Sequence, residues 1–98
     1  MTEQVTGRAL DALIAERVFG EPRTNPYPYS STWEGLGRVV ERMRELGWAW
    51  TMDYQLGSKF YTAEFWAHGK EPWGWAKADK APDAVCRAAL DALGEGES

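Results

Sequence analysis

Apolar and aromatic side chains occupy alternate positions within residues 47–78, and this pattern constrains the fold more than any other feature of the sequence. The alternate apolar residues of the first run are Trp48, Trp50, Met52 and Tyr54. A period of two is typical of a β-strand, because successive side chains point to opposite faces of a sheet. Two further runs, residues 60–67 and 73–78, follow after short connections that contain glycine, which favours antiparallel hairpins. We therefore predict a three-stranded antiparallel meander.

Three other segments carry the spacing of apolar residues that is typical of amphipathic helices. The predicted segments are the helices 6–19, 32–46 and 82–93 and the proline-rich loop 20–31 between the first two. Residues 60–67 carry aromatic side chains on both faces of the predicted strand, so we expect both faces of the sheet to be covered. The sequence thus predicts one α+β domain over residues 1–98, with the order α-α-β-β-β-α and the meander sandwiched by helices.

Local signals mark the ends of the later helices. Ser31 followed by Glu34 matches a capping box, which predicts the start of the second helix. Pro82 suits the first position of the last helix. Gly35 and Gly37 weaken the second helix by about 1 kcal/mol each relative to alanine, so we expect another segment to pack tightly against its first turns.

The 98 residues carry a formal net charge of −4, and the sequence pI is about 4.9. An acidic chain does not favour broad electrostatic binding to nucleic acid or to an anionic membrane. A single cysteine, Cys86, excludes an intrachain disulfide. No apolar run approaches the roughly 20 residues that span a bilayer, and the N-terminal segment with Glu3 does not resemble a signal peptide. We expect a cytoplasmic protein without a membrane partner.

The sequence offers few groups for catalysis. Its single histidine, His68, lies in a predicted hairpin turn, and Cys86 lies on the apolar stripe of the last helix, which indicates an unreactive thiol. Asp53 and Glu64 lie on neighbouring strands, and we interpret them as polar neighbours rather than as an acid–base pair. Metal-ligand spacing and a glycine-rich phosphate loop are both lacking. We predict that the protein is not an enzyme and has no catalytic residue, metal or cofactor.

Six tryptophans are many for a chain of this length. We assign about half of them to the core, Trp48 and Trp50 first, and the others to a binding surface. Aromatic rings stack on nucleobases and cations hold phosphates, so a proline-rich loop folded over the sheet edge would create a ligand site. Alternatively, the loop tyrosines only pin the loop onto the domain. The candidate ligand-binding residues are Arg23, Tyr27, Tyr29, Trp33, Trp66, Lys70, Trp73, Trp75 and Lys77.

Five short segments, taken in their order and spacing, carry a family resemblance. They are Leu10–Glu16, Tyr29–Trp33, Met43–Gly47, Ala76–Pro82 and Val85–Leu90. Together they resemble the phage ABA sandwich domain proteins. The resemblance implies a small phage or prophage protein with helix layers around a sheet, and it brings no catalytic residue. Lys80 departs from the pattern, because a small hydroxyl-bearing residue is expected ahead of Ala81 and Pro82.

A phage origin, the sparse catalytic inventory and the surplus of aromatic residues indicate a small non-enzymatic phage-type protein. We expect it to bind and sequester a small ligand such as a nucleotide signal of bacterial immunity, as an anti-defence protein in the host cytoplasm. The alternative is a protein-interaction or self-associating domain that acts on a host or phage protein through the same aromatic residues. The edge strand at residues 73–78 would then pair across a two-fold axis and form a homo-oligomer.

A weaker alternative is a domain of the double-stranded RNA-binding type, because residues 32–93 have its order α-β-β-β-α. That fold grips phosphates through a basic cluster at the start of its last helix. Here Lys77 and Lys80 are offset by Asp79 and Asp83, so the sequence argues against nucleic acid as a partner.

Overall fold

The computed structural model describes residues 7–94, apart from the side chains of residues 70–72. Within this part, three helices and a three-stranded antiparallel sheet follow the predicted order α-α-β-β-β-α. The α+β class and the meander are therefore confirmed, whereas the predicted helix start at residue 6 lies outside the described residues. The elements are α1 Gly7–Arg17, α2 Trp33–Glu45, β1 Ala49–Gln55, β2 Phe60–Ala67, β3 Lys70–Ala78 and α3 Ala81–Ala92.

The strand β2 is central, and its alternation separates the residues of the two sheet faces. Phe65 lies opposite Trp50 of β1 and opposite Gly74 of β3, so these three residues form one row on the same face. The next row on this face contains Met52, Ala63 and Ala76. Phe65 and Ala63 are buried, which identifies this face as the one that packs on the core.

The helix α3 lies directly on β2 and β3. A Cβ atom added to Gly74 would lie 2.5 Å from the backbone nitrogen of Ala92 and closer still to the carbonyl oxygen of Ala88. The absence of a side chain at Gly74 thus allows the helix backbone to approach the strand backbone. Small residues of α3, including Ala84, Ala88, Ala89 and Ala92, are buried, so that the helix can lie close on the sheet.

The layering differs from the prediction that helices would sandwich the sheet. Helices α1 and α2 pack on α3, and α3 is buried on the side of the sheet as well as on the side of these two helices. The hydrophobic core takes side chains from the sheet face that carries Phe65, and no described residue of the other face belongs to it. The described helices thus cover one face, because the small, apolar α3 offers α1 and α2 a packing surface of its own.

The proline-rich loop is pinned to α1 and α2. Tyr29 is 3% exposed and its ring stacks on Phe19, with ring centroids 4.9 Å apart. The backbone N–H of Ser30 donates to the carboxylate of Asp11 at 2.7 Å. Gly35 of α2 approaches the loop so closely that an added Cβ would lie 2.6 Å from the Cα of Tyr29. The predicted tight packing is confirmed at Gly35.

Two details of the helix ends differ from the sequence-based expectation. The N-cap of α2 is Thr32 rather than Ser31, because the Thr32 hydroxyl accepts from the backbone N–H of Gly35 at 2.9 Å. The same hydroxyl donates to the carbonyl of Pro28 at 2.9 Å, which ties the cap to the loop. Pro82 follows Ala81, the first residue of α3, and Lys80 caps the helix without a side-chain hydrogen bond.

We expect Gly74→Ala to lower the free energy of unfolding by about 3 kcal/mol, because the new methyl group would force α3 away from β3. The matched control is Gly37→Ala. An added Cβ at Gly37 meets nothing within 4 Å, so this variant should gain about 0.5–1 kcal/mol from its helix propensity. Urea unfolding followed by circular dichroism measures both. Native-like stability of Gly74→Ala would contradict the close helix–strand contact.

Candidate functional site

We call the sheet face that points away from α3 the open face. Its residues alternate with those that pack on the core, so the strand pattern itself determines which side chains face outward. The open-face residues whose side chains are described are Ala49, Thr51, Asp53, Gln55, Phe60, Thr62, Glu64, Trp66, Trp73, Trp75 and Lys77.

Three tryptophans, Trp66, Trp73 and Trp75, lie at one end of the open face, and we call them the tryptophan cluster. Trp73 and Trp75 are 55% and 54% exposed, and Trp66 on the adjacent strand is half-buried. Trp75 lies directly opposite Glu64 on β2. Side chains in directly opposite positions have their Cβ atoms about 5 Å apart. The cluster thus places broad aromatic surface beside a carboxylate.

The described charges of the open face are Asp53, Glu64 and Lys77. Neither Asp53 nor Glu64 forms an ion pair within the described part of the chain. The ammonium group of Lys77, which lies two residues along β3 from Trp75, is 5.2 Å from the centroid of the Phe60 ring, a cation–π geometry. The described part of the open face therefore has two carboxylates and one cation.

The edge of β3 is occupied beside the tryptophan cluster. The backbone N–H of Trp75 donates to the carboxylate of Asp91 on α3 at 3.0 Å. A strand that added to this edge would need that N–H for its own ladder. The contact disfavours the predicted edge-to-edge pairing of residues 73–78 at this position.

The structure divides the predicted ligand-binding residues between two regions. Trp66, Trp73, Trp75 and Lys77 lie on the open face, as described above. Lys70 is the first residue of β3, and its side chain lies outside the described residues. Trp66, Trp75 and Lys77 share one sheet surface because they occupy neighbouring strands with matching alternation, whereas the register shifts before Lys70, whose partner on β2 is Ala67.

The other four predicted residues lie on the helical side of the molecule. Tyr29 is part of the core, and Tyr27 packs against it while the Arg38 guanidinium lies 4.3 Å from the Tyr27 ring centroid. Arg23 pairs with Glu16, with a shortest N–O distance of 2.6 Å. Trp33 is 63% exposed at the start of α2. The described contacts of the loop are to α1 and α2, so the two groups of predicted residues do not form one site.

Sequence reasoning did not include Glu64, Phe60 or Thr51 among the site residues. The sequence pattern could have identified Phe60 and Glu64, because they lie an even number of positions from Trp66 along β2 and so face the same side of the sheet. Thr51 follows from the register, in which it lies opposite Glu64. Recognising these residues required knowing which of the two faces of β2 is uncovered.

Other concave or reactive positions are less suited to binding or catalysis. A shallow depression of about 400 Å³ is lined by Phe19, Arg38, Glu41, Arg42 and Glu45, and several of its charged groups are already paired with one another or with α2 neighbours. Such pairs leave the depression with little unsatisfied charge for a ligand.

Cys86 and His68 have the most reactive types of side chain, and neither belongs to the tryptophan cluster. Burial raises the pKa of the Cys86 thiol well above its ordinary value, so the thiol stays protonated and unreactive. His68 is exposed in the turn between β2 and β3.

Within residues 7–94, no group of three or more histidine, cysteine or acidic residues is placed to hold a metal ion. No helix in the same range has the length and apolar character to cross a membrane.

A comparison of the fold with solved structures finds a similar protein. It is a phage protein from Bacillus cereus ATCC 14579, with a TM-score of 0.80 and 21% sequence identity. The alignment covers 100% of this chain and 96% of the other. A scan against protein-family models finds no match, and a search of curated proteins finds none either. The chain therefore shares its fold with a small phage protein.

Burial and the neighbouring Glu21 carboxylate raise the pKa of Tyr29 from 10.0 to about 12. The unfolded tyrosine loses its proton at lower pH than the folded one, so we expect the free energy of unfolding to fall as pH rises from about 10 to 12. The total loss from this residue is about 2–3 kcal/mol. Urea unfolding at about pH 8 and about pH 11 measures about half of this loss, because pH 11 lies midway between the unfolded and folded pKa values of Tyr29.

Tyr29→Phe should show a smaller alkaline loss than the native protein, since it lacks the titrating hydroxyl. The raised pKa of Cys86 also contributes to the alkaline loss, and it does so in both proteins, so their difference isolates Tyr29. Equal alkaline losses in the native protein and in Tyr29→Phe would contradict the assignment.

Proposed function

We propose that this chain is a small, non-enzymatic phage-type domain that docks onto a partner protein through the open face of its sheet. The exposure of Trp73 and Trp75 on the open face is the observation that carries the proposal. Tryptophan is enriched at the centres of protein interfaces, where it supplies much of the binding free energy.

The exposed tryptophans have no structural role that the described core requires. Their side chains point away from α3 and do not belong to the hydrophobic core. Covering the exposed half of each ring would gain roughly 1–2 kcal/mol. A surface that keeps two such rings in water, side by side on one strand, is typical of a surface that a partner covers.

Sequestration of a nucleotide signal, the first expectation from the sequence, has less support from the geometry. Nucleotide sites enclose the ligand and place cations or backbone N–H groups on the phosphates. The described open face carries two carboxylates, which outnumber its one cation, Lys77. Arg23 and the loop tyrosines, which would have completed such a site, contact α1 and α2 instead.

The phage-type assignment has two sources of support. The structural neighbour is a phage protein of similar length, and the segments described above resemble the phage ABA sandwich domain family. A protein of this type would act in the cytoplasm of the host cell, on a host or phage protein.

Affinity capture from a lysate of the native host cell tests the docking surface. The baits are the native protein, the double variant Trp73→Ala/Trp75→Ala and the control Trp33→Ala, which removes an exposed tryptophan from α2. We expect the native protein and the control to capture the same partner. The double variant should bind this partner at least about tenfold more weakly, because truncating tryptophans at an interface typically costs that much affinity.

Capture that is equal for all three baits would contradict docking through the open face. A thermal-shift screen of the same proteins against cyclic dinucleotides, cyclic oligonucleotides and ADP-ribose derivatives tests the competing function. A rise of several degrees for one compound class, lost in the double variant, would replace the docking proposal with nucleotide binding.

A further inference from the structure

We propose that the segment docked on the tryptophan cluster is cationic, with an arginine or lysine side chain stacked on Trp75 and paired with Glu64. This inference rests on the proposed function and specifies the chemistry of its partner. The charges and the strand register of the open face carry it.

Glu64 is positioned to attract a cation. It lies on the central strand, directly opposite Trp75 on one side and Thr51 on the other. It is half-buried, and it has no ion-pair partner within the described part of the chain. A partner that covered Glu64 with apolar atoms alone would leave a buried, unpaired charge, which is strongly unfavourable. A cationic group from the partner would remove this penalty.

The neighbouring tryptophan provides the second half of the recognition. The face of an indole ring attracts a guanidinium or ammonium group, and tryptophan is the best of the aromatic side chains for this purpose. With Cβ atoms about 5 Å apart, the Trp75 ring and the Glu64 carboxylate can contact one guanidinium together. Arginine suits this arrangement best, because it stacks on the ring through its plane and donates to the carboxylate through its edge.

Five arginines of this chain lie away from the open face and form ion pairs there. Arg23, Arg38, Arg42, Arg44 and Arg87 each pair with a carboxylate on the helical side of the molecule. Their charges are thus compensated locally, whereas those of Asp53 and Glu64 are not. The two described carboxylates of the open face therefore lack the ion pairs that these helical carboxylates form, in a protein with a net charge of −4.

The same charges disfavour a second copy of this chain as the occupant. Two open faces packed against each other would bring the carboxylates Asp53 and Glu64 of both copies into one interface, with Lys77 as the described cation of each. Like charges juxtaposed in an interface cost binding free energy. A cationic segment from a different protein meets no such repulsion.

Fluorescence anisotropy with a labelled peptide tests the inference. The probe is a capped peptide of glycine and serine that carries three arginines, and the control peptide has citrulline, which is neutral and nearly the same shape, at the same three positions. We expect the arginine peptide to bind the native protein at least about tenfold more tightly than the citrulline peptide, because the cation–π contact and the ion pair both need the charge.

Four variants locate the site of binding. Glu64→Gln and Trp75→Ala should each weaken the arginine peptide at least about fivefold. Glu34→Gln and Trp33→Ala, which make the same kinds of change on α2, should leave the affinity unchanged. Urea midpoints close to that of the native protein show that the open-face variants are folded.

Equal binding of the two peptides, or equal weakening by Glu34→Gln and Glu64→Gln, would overturn the inference. The capture experiment separates this failure from failure of the docking proposal. A partner that is lost with Trp73→Ala/Trp75→Ala while the arginine peptide does not bind would mean that the open face docks a partner of different chemistry. A partner that the native protein and Trp73→Ala/Trp75→Ala capture equally would mean that the docking proposal itself is wrong.

Discussion

The close contact between α3 and β3 at Gly74 is the constraint on which the rest of the structure depends. Because an added methyl group would overlap the backbone of Ala88 and Ala92, the helix and the strand lie nearer to each other than side chains would allow. The small residues of α3 extend this contact along the helix and leave its other side free for α1 and α2. One helix thereby contacts α1, α2, β2 and β3, and the second face of the sheet receives no layer from the described helices.

Much of the fold follows from local patterns in the sequence. The alternation in residues 47–78 specifies the strands, and the helical stripes specify the helices, so that class, order and meander are correctly predicted. These local patterns do not specify which face of the sheet the helices cover. The covered face depends on whether Phe65 or Trp66 meets α3, and both faces of β2 are aromatic. The deciding residue, Gly74, lies on β3 and carries no side chain that a hydrophobic pattern could reveal.

The same limitation explains why the candidate site was predicted only in part. Aromatic residue type alone did not distinguish Tyr29, which stacks on Phe19 inside the core, from Trp75, which is exposed on the sheet. The sequence predicted correctly that Trp48 would be buried and that Cys86 would lie in the core. Identifying Glu64 as a neighbour of Trp75 requires the pairing register, and register is a property of two strands together.

The alternation of β2 assigns stability and recognition to different residues of the same strand. Ala63 and Phe65 pack on the core, while Glu64 and Trp66 face outward. Evolution or protein engineering can therefore rewrite the outward set to suit a new partner while the scaffold stays intact. Length is more constrained, because a single inserted or deleted residue in β2 that no β-bulge absorbs would exchange the two sets beyond that point. Such a change would place the carboxylate of Glu64 beneath α3 and expose Phe65 to water, so substitutions should be tolerated on this strand where insertions are not.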